Sequence, residues 1–441
     1  MDAHITYHKN LFWNALENVR HGLAVLFFFF MPFTQALTVN LGFPLKVSEV
    51  VLIMLGGIYL LFKTQVKLPP FIIYTLSALF TIVLLSVIIN IYWDYPYNLR
   101  VFESRFGYIG DTLTRLGYFI LALLAFFITV DLLLTNKTRY LRIWLYGAIA
   151  SSIYSWYLVS FSFLHQPVYL LPGMQNPPQT IGPGIIRSGT FLEGNYMGLY
   201  MLLSGIIAFY IRKFRTGTFL FLTTIITFST LSIISVLLFL AFYFRQYIFR
   251  RKYVAPSLIL FVLSIPLLIY LYQTPFVKTY IDEKIFSDIS KVNSNVVYSK
   301  ADRVVTMQTA INTALGNPFF GVGLSNFSLH YDRYYQRGVL DEKMYNIFRR
   351  KNQKVIPNNI YVEIWAEAGS IALFLFIVFM IMILFCARTD VSQTLFPAVL
   401  CMILCFNAYP SFIMIYLWSF MAIPVVHFIQ TREHATSHLS K

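Results

Sequence analysis

Residues 211–252 read IRKFRTGTFLFLTTIITFSTLSIISVLLFLAFYFRQYIFRRK, and this stretch decides the fold. Between Arg212-Lys213-Phe214-Arg215 and Arg245 the chain is uncharged, with the 28-residue run 217–244 at its heart and Arg250-Arg251-Lys252 following closely. Lys and Arg collect on the cytoplasmic side of membranes, so the two basic flanks belong on one side and the run must enter and return. Two passes of about 13 residues cover only about 20 Å each at 1.5 Å per residue, less than the ~30 Å hydrocarbon core. The spacing therefore predicts a helical hairpin of two short or re-entrant arms, turning near Phe228-Ser229-Thr230-Leu231-Ser232.

Outward from the hairpin, the rest of the chain has the same character. The 441 residues are 58% hydrophobic and 12% charged, whereas soluble domains carry about 25% charged residues. Apolar runs long enough to cross, or nearly cross, a bilayer occur near 22–39, 47–62, 70–92, 114–135, 141–164, 189–211, 253–272, 359–386, 394–409 and 411–430. With the two hairpin arms they predict an all-α polytopic membrane protein of about twelve segments, one domain spanning 1–441. Placing both termini in the cytoplasm makes each inside loop basic: Lys63 and Lys67; Lys137, Arg139 and Arg142; the hairpin flanks; Arg388; Arg432. The first run reads as a retained helix rather than a cleaved signal peptide. Cys386, Cys401 and Cys405 all lie in or beside late apolar runs, which fits packing and neither a disulfide framework nor a zinc site. An excess of 34 basic over 19 acidic residues in such a chain marks cytoplasmic loops, and no nucleic-acid partner is expected.

The outside connections are short except for 273–358, which is too long for a connector and too polar for lipid. It holds twelve Lys or Arg against seven Asp or Glu, a basic external loop suited to an anionic ligand. Ala301–Leu315 has helical apolar spacing, ended by Gly316-Asn317-Pro318. Arg303 on that helix can offer a bidentate fork to phosphate. Arg187 precedes Ser188-Gly189-Thr190-Phe191, where the span 189–211 begins; there a helix N-terminus and a guanidinium make a diphosphate site, or the arginine snorkels at the interface. Glu193 and Asn195 fall in the first turns of that span, where polar groups must face a cavity or a partner. Gly321-Val322-Gly323 reads as a tight turn that brings backbone close to the membrane body. Glu363 and Glu367 lie one helical turn apart and share a face with Asn359, placed either to position a hydroxyl group or to cap the helix. His330, in an aromatic stretch that also contains Arg333, is a candidate base or a packed histidine. No metal-ligand spacing, Walker loop or serine-hydrolase elbow occurs.

Three blocks together resemble the O-antigen ligase and polymerase superfamily. They are Arg187-Ser188-Gly189-Thr190-Phe191 with Asn195; Arg303 followed by Asn317-Pro318-Phe319-Phe320-Gly321-Val322-Gly323; and Asn358-Asn359-Ile360-Tyr361 with Glu367 and Gly369, which is similar to the family's His-Asn-x-Tyr and Glu-x-Gly pattern. The resemblance implies glycosyl transfer at the outer, periplasmic face of the bacterial inner membrane, between undecaprenyl-diphosphate-linked donor and acceptor glycans, without cofactor or metal. A chain-length-regulating copolymerase is a possible partner. It implies leaving-group stabilisation by Arg187 and Arg303, with Glu193, Glu367 and His330 as candidate bases. Asn195, Asn358, Asn359, Tyr361 and Arg333 would hold substrate. Two departures stand out: Asn358 occupies the place of the ligases' histidine, and an amide cannot accept a proton; and the hairpin lacks the family's Ser-Arg pair, since Ser232 is followed by Ile233. The first departure favours an O-antigen polymerase over a ligase, and the second leaves that arginine's role to another residue; a lipid or glycan transporter is the reading from another class.

Overall fold

The computed structural model of the chain describes residues 2–40, 44–61, 68–93, 107–174, 178–181, 184–248, 266, 269–270, 272–287, 295–335, 355–390 and 392–439. It is 78% helical, and among the described residues the strands are two short pairs, β1 Val39–Asn40 with β2 Pro44–Leu45 and β3 Thr180–Ile181 with β4 Ile185–Ile186. The architecture is that of an all-α membrane protein. The expected span 253–272 lies almost wholly outside the described residues.

The helices α1 Asp2–Phe30, α2 Val47–Leu61, α3 Pro70–Trp93 and α4 Gly107–Phe163 form the first half. The second half comprises α5 Gly194–Tyr210, α6 Phe214–Ile226, α7 Thr230–Ile248, α8 Pro275–Ile281, α9 Asn295–Gly316, α10 Phe327–Tyr334, α11 Ile360–Ala387, α12 Leu395–Cys405 and α13 Ile415–Leu439. Among the described residues, Pro70–Tyr92, Gly107–Phe163 and Ile360–Ala387 are long and apolar enough to cross a membrane.

The 57 residues of α4 are not one rod. Asn136 departs from helical geometry (φ −154°, ψ 77°), and the packing requires the chain to fold back there. Phe119 lies against Trp418, ring centroids 5.9 Å apart, while Trp144 stacks on Tyr200 at 5.7 Å and Tyr200 meets Tyr416 at 5.2 Å. In a straight helix residues 119 and 144 would stand about 37 Å apart; here Phe119 meets Trp418 directly and Trp144 is linked through Tyr200 to Tyr416 on the same turn of α13. The two arms correspond to the expected runs 114–135 and 141–164, with Lys137, Arg139 and Arg142 at the turn. A second hairpin is formed by α6 and α7, turning at Thr227–Ser229 with Phe228 at φ 52°, as the basic flanks predict. The bundle thus has a basic end, carrying residues 137–142, 212–215 and Arg388, and an opposite loop end.

At the loop end α11 is itself interrupted. Gly369 takes φ 87° and ψ 175°, and the turn after α9 fills the break: Val322 N–H donates to Ala366 O and Gly323 N–H to Glu367 O, both at 2.9 Å, while Ser370 N–H donates to Pro318 O at 2.7 Å. Ser86 Oγ lies 2.6 Å from Phe320 O and 3.0 Å from Glu367 O. Backbone groups freed inside an apolar bundle must find partners, and residues 318–323 supply them. The approach is close enough that a Cβ on Gly369 would fall 2.0 Å from Phe319 O. The glycines expected to bring backbone onto the membrane body do so.

Candidate functional site

The site forms where α5 begins. Residues Arg187 to Glu193 lead from β4 into the helix, and Glu193 is the extended N-cap residue (φ −132°, ψ 151°), so its side chain stands ahead of the span rather than within it. The first helical N–H group, at Gly194, is satisfied by Gln179 Oε1 at 3.0 Å. Packing then sets the neighbours: a Cβ on Gly194 would lie 2.7 Å from Thr227 O and 3.1 Å from the Arg187 side chain. Arg187 Nη1 donates to Thr227 O at 3.4 Å. The tip of the α6–α7 hairpin is therefore the floor beneath Arg187. Ser229 and Ser232 hydroxyls, 2.9 Å apart, continue that floor, and Gly198 admits them because any side chain there would meet both.

Arg303, half-buried on α9, stands close enough for its charge to act on the Glu193 carboxylate. Burial lifts the Glu193 carboxyl above the ordinary carboxylate range; the charges of Arg303 and then Arg187 pull it back, as does a hydrogen bond from the Tyr196 hydroxyl, while Asp302 adds to the rise. Three residues more than a hundred positions apart at their extremes are thus electrostatically coupled: the charges of two guanidiniums act on one desolvated carboxylate. Tyrosines form its inner wall. Tyr196 packs on Tyr409 with centroids 5.0 Å apart, the Tyr409 and Tyr416 hydroxyls are hydrogen-bonded, and Tyr416 OH donates to Tyr196 O at 3.4 Å.

Tyr409 is held by a second centre. Arg115, from the first arm of α4, pairs with the buried Glu363 and donates to Ser411 Oγ at 3.0 Å. Glu363 Oε2 accepts Phe412 N–H at 3.2 Å, and Trp418 Nε1 donates to Phe412 O at 2.6 Å. The segment 409–412 is thus clamped from three helices, and the charge of Glu193 acts on Tyr409.

The other expected residues sit as follows. Asn195 is buried in the first turn of α5. Asn359 caps α11, its Oδ1 accepting from Tyr361 N at 3.0 Å and Val362 N at 3.2 Å, and its Nδ2 donating to Asn407 O at 3.4 Å. Asn358, at φ 53°, makes the turn ahead of that cap. Tyr361 OH donates to Ile403 O at 3.0 Å. Glu367 is buried under the Gly321–Gly323 turn, and its charge acts on Glu363. His330 is buried on α10 with its ring against Tyr334, and Arg333 is exposed with its guanidinium over the same tyrosine at 5.5 Å. The structure brings Arg187, Glu193 and Arg303 together; the contacts described for His330, Arg333 and Tyr361 run elsewhere.

Sequence reasoning missed Arg115, Tyr196, Tyr409 and Gln179. Arg115 carried a usable signal, since a charge at the head of an apolar run must face a partner or a cavity. The tyrosines carried none: with 30 in the chain, only three-dimensional packing selects them.

A sequence model of the family described as O-antigen ligase matches residues 216–377, from α6 into α11. The match includes Arg303, His330, Asn358, Glu363 and Glu367, whereas Arg187 and Glu193 lie ahead of it. A comparison with curated proteins finds no match. Residues 216–377 thus carry an O-antigen ligase-like domain, which supports the O-antigen ligase and polymerase superfamily, whose members are glycosyltransferase-like enzymes.

Proposed function

We propose that the protein polymerises undecaprenyl-diphosphate-linked oligosaccharide repeat units at the periplasmic face of the inner membrane, its basic end in the cytoplasm. The observation that carries this reading is the electrostatic coupling of Arg187, Glu193 and Arg303 at the loop end, beside the membrane surface from which a lipid-linked substrate would enter. A hydroxyl oxygen of the acceptor glycan attacks the anomeric carbon of the donor; a new C–O bond forms there, and the bond from that carbon to the diphosphate oxygen breaks. Negative charge grows on the departing lipid diphosphate, and preformed guanidinium forks at Arg187 and Arg303 stabilise it without reorganisation. The acceptor proton goes to Glu193, whose desolvated carboxylate is a stronger base than an exposed one. Asn195 and Asn358 lie at the starts of the two helices that frame the centre, and they are proposed as substrate contacts together with Asn359, Tyr361 and Arg333. Glu367 and His330 are alternative proton acceptors.

Asn358 favours polymerisation over transfer to a lipid A core, because an amide cannot take the proton-accepting part of a histidine. The alternative reading is a ligase. The test is incubation of the purified protein with undecaprenyl-diphosphate-linked repeat units alone, resolving products by single repeats. A ladder supports the polymerase; transfer only on addition of lipid A core makes it a ligase; no product with either acceptor refutes both.

A further inference from the structure

From the geometry of the basic end we infer a binding site for the phosphodiester headgroup of an anionic phospholipid, between the end of α7 and the α11–α12 connection. A cleft of about 260 Å³ opens there, lined by Phe242, Arg245, Arg388, Asp390, Gln393 and Phe396 among others. Two guanidiniums face it. Arg245 donates to the neutral Gln393 amide, and Arg388 lies 5.3 Å over the Phe396 ring. Neither is in an ion pair among the described residues, and residues 249–265 contain no acid that could supply one.

The one carboxylate in the cleft is already committed. Asp390 Oδ1 accepts Ser392 N–H at 3.0 Å, and Oδ2 accepts Thr394 N–H at 2.8 Å and Leu395 N–H at 3.0 Å, with Ser392 Oγ within 2.8 Å of both oxygens. Its charge is spent on closing the connection and holding the N-terminus of α12. What the cleft offers a ligand is a pair of forks suited to phosphate oxygens, set beside apolar walls from Phe242, Phe396, Ala387 and Pro397. Those walls favour an amphiphile over a free anion. The position agrees, since Arg388 immediately follows the long apolar helix α11 and so stands where hydrocarbon gives way to headgroups. A lipid held there ties α7, whose partner arm ends under Arg187, to α11. The inference is independent of which reaction the loop end performs.

The test uses the full-length protein in phosphatidylcholine nanodiscs, with phosphatidylglycerol or inorganic phosphate added. Native mass spectrometry reads bound lipid, and thermal unfolding reads stabilisation. Phosphatidylglycerol is expected to stay bound and raise the unfolding midpoint. Arg245→Gln/Arg388→Gln should weaken that binding about 20- to 30-fold, a factor of about five for each basic residue at an anionic surface. Removal of equal charge elsewhere on the basic end, by Arg139→Gln/Arg142→Gln, should leave it intact. Equal retention by the cleft variant, equal loss in the control variant, or a full midpoint shift with inorganic phosphate alone would each overturn the site. Should the double variant not fold, Arg388→Gln, which gives up only its place over Phe396, serves in its stead with about a fivefold loss expected.

Discussion

Substituting methionine for Arg115 is the sharpest challenge to the account of how Tyr409 is held. The Glu363 side chain is 1% exposed and that of Arg115 20%, so the pair is desolvated most on the acid side. Removing one partner of a buried pair costs about 3–5 kcal/mol, because the survivor is left uncompensated. Arg115→Met also abandons the Ser411 hydroxyl, which is included in that range. Arg115→Met/Glu363→Leu removes both charges and leaves the Phe412 N–H without its acceptor, a loss of about 1–3 kcal/mol. The double variant should therefore be more stable than the single. Unfolding in mixed micelles with increasing denaturing detergent, followed by tryptophan fluorescence since Trp418 bonds to Phe412, measures all three proteins. A single variant within about 1 kcal/mol of the native protein, or a double variant less stable than the single, would show that the pair does not clamp the 409–412 segment.

Other outcomes follow from the same geometry. Arg303→Ala and Arg187→Ala should each lower glycosyl transfer about 10²–10³-fold in correctly inserted protein, and Arg303→Lys should recover little because it lacks the fork; full activity of Arg303→Ala would end the leaving-group assignment. Glu193 must be ionised to accept a proton, so transfer should fall as pH drops through its raised pKa; Glu193→Gln should be slow and lose that acidic limb, and an unchanged pH profile would point to another base. Gly369→Ala, with φ 87° and a Cβ 2.0 Å from Phe319 O, should destabilise by about 2–4 kcal/mol. By contrast Gly57→Ala, with open space around its Cβ, should stabilise by up to about 1 kcal/mol, as thermal unfolding of the two variants would report.

What could be read from the sequence was what depends on neighbours in the chain. The α6–α7 hairpin followed from charges flanking a long apolar run, the end of α9 from Gly316-Asn317-Pro318, and the need of Glu193 for a partner from the cost of a carboxyl at the head of a span. What could not be read was pairing across sequence. Nothing local to Arg115 names Glu363, 248 positions away, as its partner, and nothing local to Tyr409 marks it off from other tyrosines. Glu193 was expected inside a span and stands instead at its cap, where the first helical N–H, at Gly194, is satisfied by Gln179, 15 positions earlier.

The break in α11 at Gly369 has a further meaning for how this protein can be taken apart. A helix that crosses lipid ordinarily completes its own hydrogen bonds; this one borrows three from Pro318, Val322 and Gly323. The outer segment is therefore not a cassette mounted on a finished membrane body. A chimera that exchanges residues 295–335 for those of another chain inherits an unfinished helix unless residue 369 and its turn are exchanged together. For the same reason α11 reaches its final form only after α9 and the turn that follows it have folded onto the bundle.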